Sequence, residues 1–260
     1  MSDAPSAIRP AATILLVRDE PAFQVLMVKR HHQIDFASGA LVFPGGKTHA
    51  GDHDPLWREH ASGWDAAPEA ERALRIAAIR EAYEETGVLL ARDGRGEIFA
   101  GDDRANAARD EVAHDRRSFL DLARTLDLRL DLEALSVFAR WITPDLMPKR
   151  FDTWFYVASA PAGQLAACDG WETVDSEWIA PGEALRLAAA GERKVIFPTR
   201  MNLQLLAEAA DGRDAIARAR ARRLVTVEPQ VRQRPEGPAL VIPADAGYGA
   251  VEEPLSALDG

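Results

Sequence analysis

The chain has a single cysteine, Cys168, in 260 residues, which excludes an intramolecular disulfide and any zinc cluster built from several thiolates. It also lacks a run of about eighteen apolar residues, so no segment reads as a membrane-spanning helix. The first residues, MSDAPSAIRP, carry no basic-then-apolar leader pattern, and the chain ends in SALDG without a peroxisomal tripeptide. A soluble, cytoplasmic protein is the expectation. Positive charge is scarce too: the formal net charge is -10, a field that repels nucleic-acid backbones and acidic lipid surfaces. A phosphate-bearing ligand would therefore have to meet a local cationic patch or a metal ion.

Hydrophobic residues make up 47% of the chain, enough to fill a substantial core. Their pattern alternates between strand and helix without repeats, the signature of an α/β fold. Residues 12–18 and 23–30 are apolar, branched and separated by the turn-forming DEPA, predicting an antiparallel pair. Residues 40–46, ALVFPGG, read as a short strand ending in a tight glycine turn. The following stretch, 48–70, has no steady period and reads as a loop with one helical turn. Trp57 and Trp64 within it would form a lid or an anchor.

A helix starts near Pro68, with Ala73, Leu74, Ala77 and Ala78 as its apolar stripe, and stops at Gly87. Beyond it, 117–126 reads as a helix, 135–144, 150–160 and 176–181 as strands, and 181–190, 198–210 and the arginine-rich 212–223 as helices. The tail from Leu224 is rich in proline and glycine but contains two β-like runs, TVEPQV and ALVIPA, which would fold over the domain or pair with another subunit in a homodimer.

The stretch REAYEETG, residues 80–87, concentrates the chemistry. At about 100° per residue, Glu81, Glu84 and Glu85 share one face of the helix, where mutual repulsion costs a few tenths of a kcal/mol per pair. Arg80, four positions before Glu84, is close enough to orient a carboxylate. A hard divalent ion, Mg²⁺ or Mn²⁺, would offset the repulsion, while a solvated acidic face is the simpler alternative for the helix alone. Upstream, FPGGK lets the backbone turn sharply and bring a carbonyl close to an ion.

Together these halves resemble the box of the Nudix hydrolases. Arg80 through Val88 match its second half completely, whereas Asp52, six positions after Gly46, stands where the family has glutamate. Between Asp52 and Arg80 lie 27 residues instead of the family's short spacer, so an insertion of about twenty residues splits the box. That split, with KRH, GALVFPGG, WITP, RFDTWFY and FPTRMNLQLL, resembles the branch related to the mammalian peroxisomal coenzyme A diphosphatase, over most of residues 12–211.

The resemblance implies an α/β/α sandwich with a mixed sheet over residues 1–223, an insertion at about 53–72 and a C-terminal extension at 224–260. It further implies a pyrophosphohydrolase that uses Mg²⁺ or Mn²⁺ held by Glu81, Glu84, Glu85 and the Gly45 carbonyl, with Arg80 holding the glutamates. Glu172 is the first proton acceptor to consider outside the box, and Glu177 the second. Coenzyme A or an acyl-coenzyme A is the implied substrate; ADP-ribose, a dinucleotide or a nucleotide sugar is the alternative, and a non-catalytic nucleotide sensor is a third reading. For such a substrate, Lys29, Arg30, His31, His32, Lys47, Lys149 and Arg150 would supply charge. Trp141, Phe151 and Trp154 would supply stacking surfaces.

Overall fold

The computed structural model describes residues 7–30, 39–167 and 173–255. His31, His32, Cys168 and Glu172 lie outside the described residues, as does the side chain of Arg30.

The chain opens with β1 (Arg9–Arg18), β2 (Gln24–Arg30), β3 (Leu41–Val42) and β4 (Gly45–Lys47). The segment that follows holds a 3-10 turn at Ala50–His53, α1 (Trp57–His60) and β5 (Ala61–Ser62), and leads into the long α2 (Glu69–Thr86). Next come β6 (Ala91–Arg92), α3 (Asp103–Ala113), α4 (Phe119–Thr125), β7 (Arg129–Asp131), β8 (Ser136–Ile142), β9 (Phe151–Ser159) and β10 (Thr173–Ile179). Helices α5 (Pro181–Ala189), α6 (Phe197–Leu206) and α7 (Gly212–Ala221) precede β11 (Thr226–Val227), β12 (Gln230–Arg234), β13 (Gly237–Val241) and β14 (Glu252–Pro254).

The main sheet runs β10-β2-β1-β9-β8-β11, with β3 beside β2 and β4 beside β1. It is mixed: β1 and β9 run parallel, from Arg9 opposite Phe151 to Val17 opposite Ser159, while β2, β4 and β10 are antiparallel to their neighbours. Because side chains alternate along a strand, β1 feeds two cores. Ala12, Ile14 and Leu16 face one layer that contains α2, α3 and α4; Leu15 and Val17 face the other, built on α5, α6 and α7. The result is the α/β/α sandwich that the resemblance implies.

Several elements differ from the sequence reading. The stretch 40–46 is two short strands, since Pro44 interrupts it: β3 bonds to β2 and β4 to β1. The 48–70 segment is more ordered than its irregular pattern suggested. Trp57 is fully buried, its ring 5.6 Å from that of Phe119 and its Nε1 donating to the Gly51 carbonyl at 2.9 Å. Trp64 lies under the Arg72 guanidinium, 4.9 Å away. Both tryptophans anchor the segment, and β5 fastens it to β7 in a small second sheet.

Helix α3 was absent from the sequence reading, although its signals exist. Asp102 caps it by accepting from the Ala105 amide at 2.8 Å, and Ala105, Ala108 and Val112 form its buried stripe. Alanines make that stripe weakly hydrophobic, which hides it. At the C-terminus, β11 joins the main sheet beside β8, and β12, β13 and β14 form a separate antiparallel sheet. Ile242, Ala246 and Tyr248 pack into the α5–α7 core. Burial first, against the bond from Trp141, pushes the Tyr248 hydroxyl up to about 12, so it remains a hydrogen-bond donor. No described helix is long and apolar enough to cross a membrane.

Candidate active site

The last two turns of α2 carry the acidic cluster against the glycines of β4. Gly87 ends the helix in the left-handed conformation at φ 76°, its amide donating to the Tyr83 carbonyl at 2.8 Å. That stop fixes where the glutamates fall. Glycine is required twice in β4 by close approach. A Cβ on Gly45 would sit 2.5 Å from the Ala12 carbonyl oxygen, and one on Gly46 would sit 2.4 Å from Glu81 Oε1. The bare backbone of Gly46 thus forms a cradle for the Glu81 carboxylate.

Arg80 is the hub. It is 3% exposed, and each of its three nitrogens is engaged. Nε donates to Asp52 Oδ1 at 3.0 Å, and Nη2 to Asp52 Oδ2 at 3.1 Å and to the Lys47 carbonyl at 2.8 Å. Nη1 donates to Glu81 Oε1 at 3.0 Å and Glu84 Oε2 at 2.9 Å. One guanidinium therefore uses its planar fork to hold Asp52, two of the three glutamates and the β4 backbone. Burial alone would lower its pKa, but Glu81, Asp52 and Glu84 together raise it.

Asp52 is 2% exposed and also accepts from the His49 amide at 2.7 Å. It reaches Arg80 from 28 positions away, so the insertion leaves the box closed in space. Glu85 Oε2 accepts from the Gly45 amide at 3.1 Å, tying the third glutamate to β4. The Glu84 carboxyl is pushed up to about 8, mainly by burial and further by the Glu81 and Asp52 charges, against the opposing pull of Arg80.

Among the described residues no three acidic, histidine or cysteine side chains converge as a ready metal cage. The donor set nevertheless fits a hard divalent cation: carboxylate oxygens on one helix face and an open glycine backbone beside Glu81. Arg80 takes one oxygen of Glu81 and one of Glu84, and each carboxylate has a second oxygen.

The residues expected to bind substrate are dispersed. Lys47 is exposed on β4 next to Gly46. Arg150 is nearly buried, with Nη2 on Glu228 Oε1 at 2.6 Å and Nε on the Thr143 carbonyl at 3.0 Å, so it ties the turn between β8 and β9 to the C-terminal segment. Trp141 is 4% exposed, wedged between Phe197 and Tyr248, with Nε1 donating to the Tyr248 hydroxyl at 3.0 Å. A ring enclosed on that scale has no face for a base to stack on, which corrects its expected role: it is a core residue. Trp154 is half-buried beneath the Arg140 guanidinium at 4.9 Å. Glu177, on β10, pairs with Arg193 at 3.5 Å.

The sandwich, its long helix and the glycine turn facing that helix define the Nudix fold. The same architecture occurs in a Nudix hydrolase from Alicyclobacillus acidocaldarius, with a TM-score of 0.67 and 28% identity over 82% of this chain and 97% of that one. Within that class the chain belongs to the family described as the NUDT19 Nudix domain, whose model matches residues 58–204. It is 25% identical over 205 residues to the acyl-coenzyme A diphosphatase NUDT19 of Xenopus laevis, covering 63% of this chain and 54% of the relative. To the human acyl-coenzyme A diphosphatase NUDT19 it is 29% identical over 237 residues, covering 69% and 63%. The chain thus spans less than two thirds of the length of these relatives. The family model's match begins after Asp52, and the structure joins Asp52 to the box through its contact with Arg80.

Proposed function

We propose that the chain is a metal-dependent diphosphatase that hydrolyses the pyrophosphate of coenzyme A or an acyl-coenzyme A, releasing 3′,5′-ADP and (acyl-)phosphopantetheine. The observation that carries this reading is the closed box: Arg80 links Asp52, Glu81 and Glu84 while Glu85 is bonded to Gly45. The substrate class is supported by the names of the Xenopus and human relatives.

Glu81 and Glu85, with Glu84 and the Gly45 carbonyl, would hold Mg²⁺ or Mn²⁺. Such an ion supplies charge neutralisation at the phosphates and acidifies a bound water. The protein's own contribution is positioning. Arg80, itself fixed by the buried Asp52, sets the rotamers of Glu81 and Glu84, and Gly46 allows Glu81 to lie against the β4 backbone. Glu84, with its raised pKa, can carry a proton near neutral pH and surrender it when positive charge arrives.

Incubating the protein with coenzyme A, ADP-ribose and NADH in Mg²⁺ or Mn²⁺, and identifying the products by mass, tests the proposal. 3′,5′-ADP from coenzyme A, lost in Glu85→Gln, is the expected result. Turnover of ADP-ribose or NADH alone would move the substrate to the nucleotide-sugar or dinucleotide class. Saturable binding without any product would make the chain a sensor. Undiminished hydrolysis by Glu85→Gln would overturn the site.

A further inference from the structure

A second cationic cleft lies away from the acidic cluster. It is a cavity of about 400 Å³ between α7 and the start of β8, with Arg75, Ser136, Phe138, Arg220, Arg222 and Leu224 in its wall. Arg75 precedes Glu84 by nine positions, half a turn out of phase on α2, so the two point to opposite sides of the helix. The cleft and the box are therefore separate sites.

Among the described residues its wall contains three arginines and no acidic residue. Arg75 is paired with Glu71 at 2.8 Å and bonded to the Leu132 and Leu135 carbonyls, so it is a fixed part of the frame. Among the described residues the other two are bonded to neutral acceptors. Arg220 Nε donates to Ser136 Oγ at 2.9 Å, and Arg222 Nη2 donates to the Phe138 carbonyl. Among the described residues neither has a carboxylate within ion-pair distance, whereas Arg218, on the same helix, is paired with Asp214. Glu208, an acidic group felt by Arg222, lines an adjoining cleft of about 310 Å³ that Arg222 also borders. In a chain of net charge -10, the cleft thus brings two arginines without a described acidic partner into one concavity.

The same cleft is apolar on its other side. Leu224 is 41% exposed at the rim, and Leu135, Val137 and Phe138 continue the surface inward. The volume falls within the range of small-molecule pockets, and cations beside an apolar wall suit a ligand with a charged end and a flat, weakly polar body. We propose that this cleft is a second ligand site, outside the box, which binds a nucleoside monophosphate with its phosphate at Arg220 and Arg222 and its base against Leu224 and Val137. Binding there is independent of a divalent ion, because none of the wall residues is a metal ligand.

The test is calorimetric titration of the full chain with AMP, inorganic phosphate and adenosine in EDTA, using Glu85→Gln so that the box neither loads metal nor turns over. AMP is expected to bind saturably, and more tightly than phosphate or adenosine. Arg220→Gln should weaken AMP at least about fivefold through loss of a charge-assisted contact. Leu224→Glu, an exposed rim substitution that leaves the core intact, should weaken it similarly by repulsion. Far-UV circular dichroism and the ligand-free melting temperature verify that both variants are folded. The proposal is overturned if AMP does not bind, if it binds no better than phosphate, or if both folded variants bind it as the parent does.

Discussion

Asp52 and Arg80 meet through two buried hydrogen bonds, 3.0 and 3.1 Å long, across an insertion that separates them by 28 positions. Removing Asp52 leaves Arg80 its bonds to Glu81, Glu84 and the Lys47 carbonyl but orphans its buried Nε. Asp52→Ala should therefore destabilise the protein by about 1–3 kcal/mol and reduce turnover, because Arg80 then loses part of its fixed orientation toward the glutamates. Urea denaturation measures the first effect and coenzyme A hydrolysis the second. A loss below about 1 kcal/mol, the level of an exposed pair, would contradict the role given to Asp52.

Gly46 and Gly87 make a contrasting pair. In Gly46→Ala the new methyl collides with the end of the Glu81 side chain, which can swing away, so the fold should survive while hydrolysis falls at least about tenfold. In Gly87→Ala there is room for the methyl beside Arg109, but φ 76° is strained for alanine, so stability should drop by about 1 kcal/mol. Melting curves and initial rates on both variants separate the two effects.

The raised Glu84 pKa predicts how the metal-free protein responds to pH. Its folded value, about 8, exceeds the ordinary 4.5, so the native state binds the proton more tightly than the unfolded chain does. The stabilisation is fully present below pH 4.5, falls as pH rises from there and is gone above about 8. In EDTA the melting temperature should decline across this window more steeply for the parent than for Glu84→Gln. Equal slopes would remove Glu84 as the cause. Added Mg²⁺ or Mn²⁺ should flatten the parent curve.

Tyr248 pins the C-terminal segment to the core by donating to Asn202 Oδ1 at 2.7 Å and accepting from Trp141 Nε1 at 3.0 Å. Tyr248→Phe leaves both partners buried without this bond, a cost of about 1–3 kcal/mol for each unsatisfied group. Chemical denaturation should register that loss, while kcat per folded molecule stays unchanged. A fall in kcat in the folded variant would instead link the tail to the chemistry.

The helical half of the site was legible in the sequence because it is local: Arg80, the three glutamates and Gly87 sit at fixed offsets on one helix. Asp52 was ambiguous because its meaning depends on a contact across the fold. Trp141 was misread for a related reason. Alternation along a strand tells that a residue faces one side of a sheet, but not that Phe197 and Tyr248 will close over that side. The ordered insertion was invisible for want of a period, since its stability comes from Trp57 reaching Phe119. Helix α3, by contrast, had a cap and a stripe that a closer count of small residues would detect.

The clamp at Arg80 turns the box into a matter of distance rather than count. With Asp52 and Lys47 gripped at one end of the excursion, α2 at the other and Trp57 and β5 fixing the chain between them, sequence added at an exposed turn is a loop whose ends are already joined. Doubling such a loop adds only about 0.6 kcal/mol of closure entropy, so this position can absorb added sequence at little thermodynamic penalty. Exposed Asp65 and Ala66 mark the natural point for a graft, and a fixed-interval pattern would miss relatives that have lengthened the chain there.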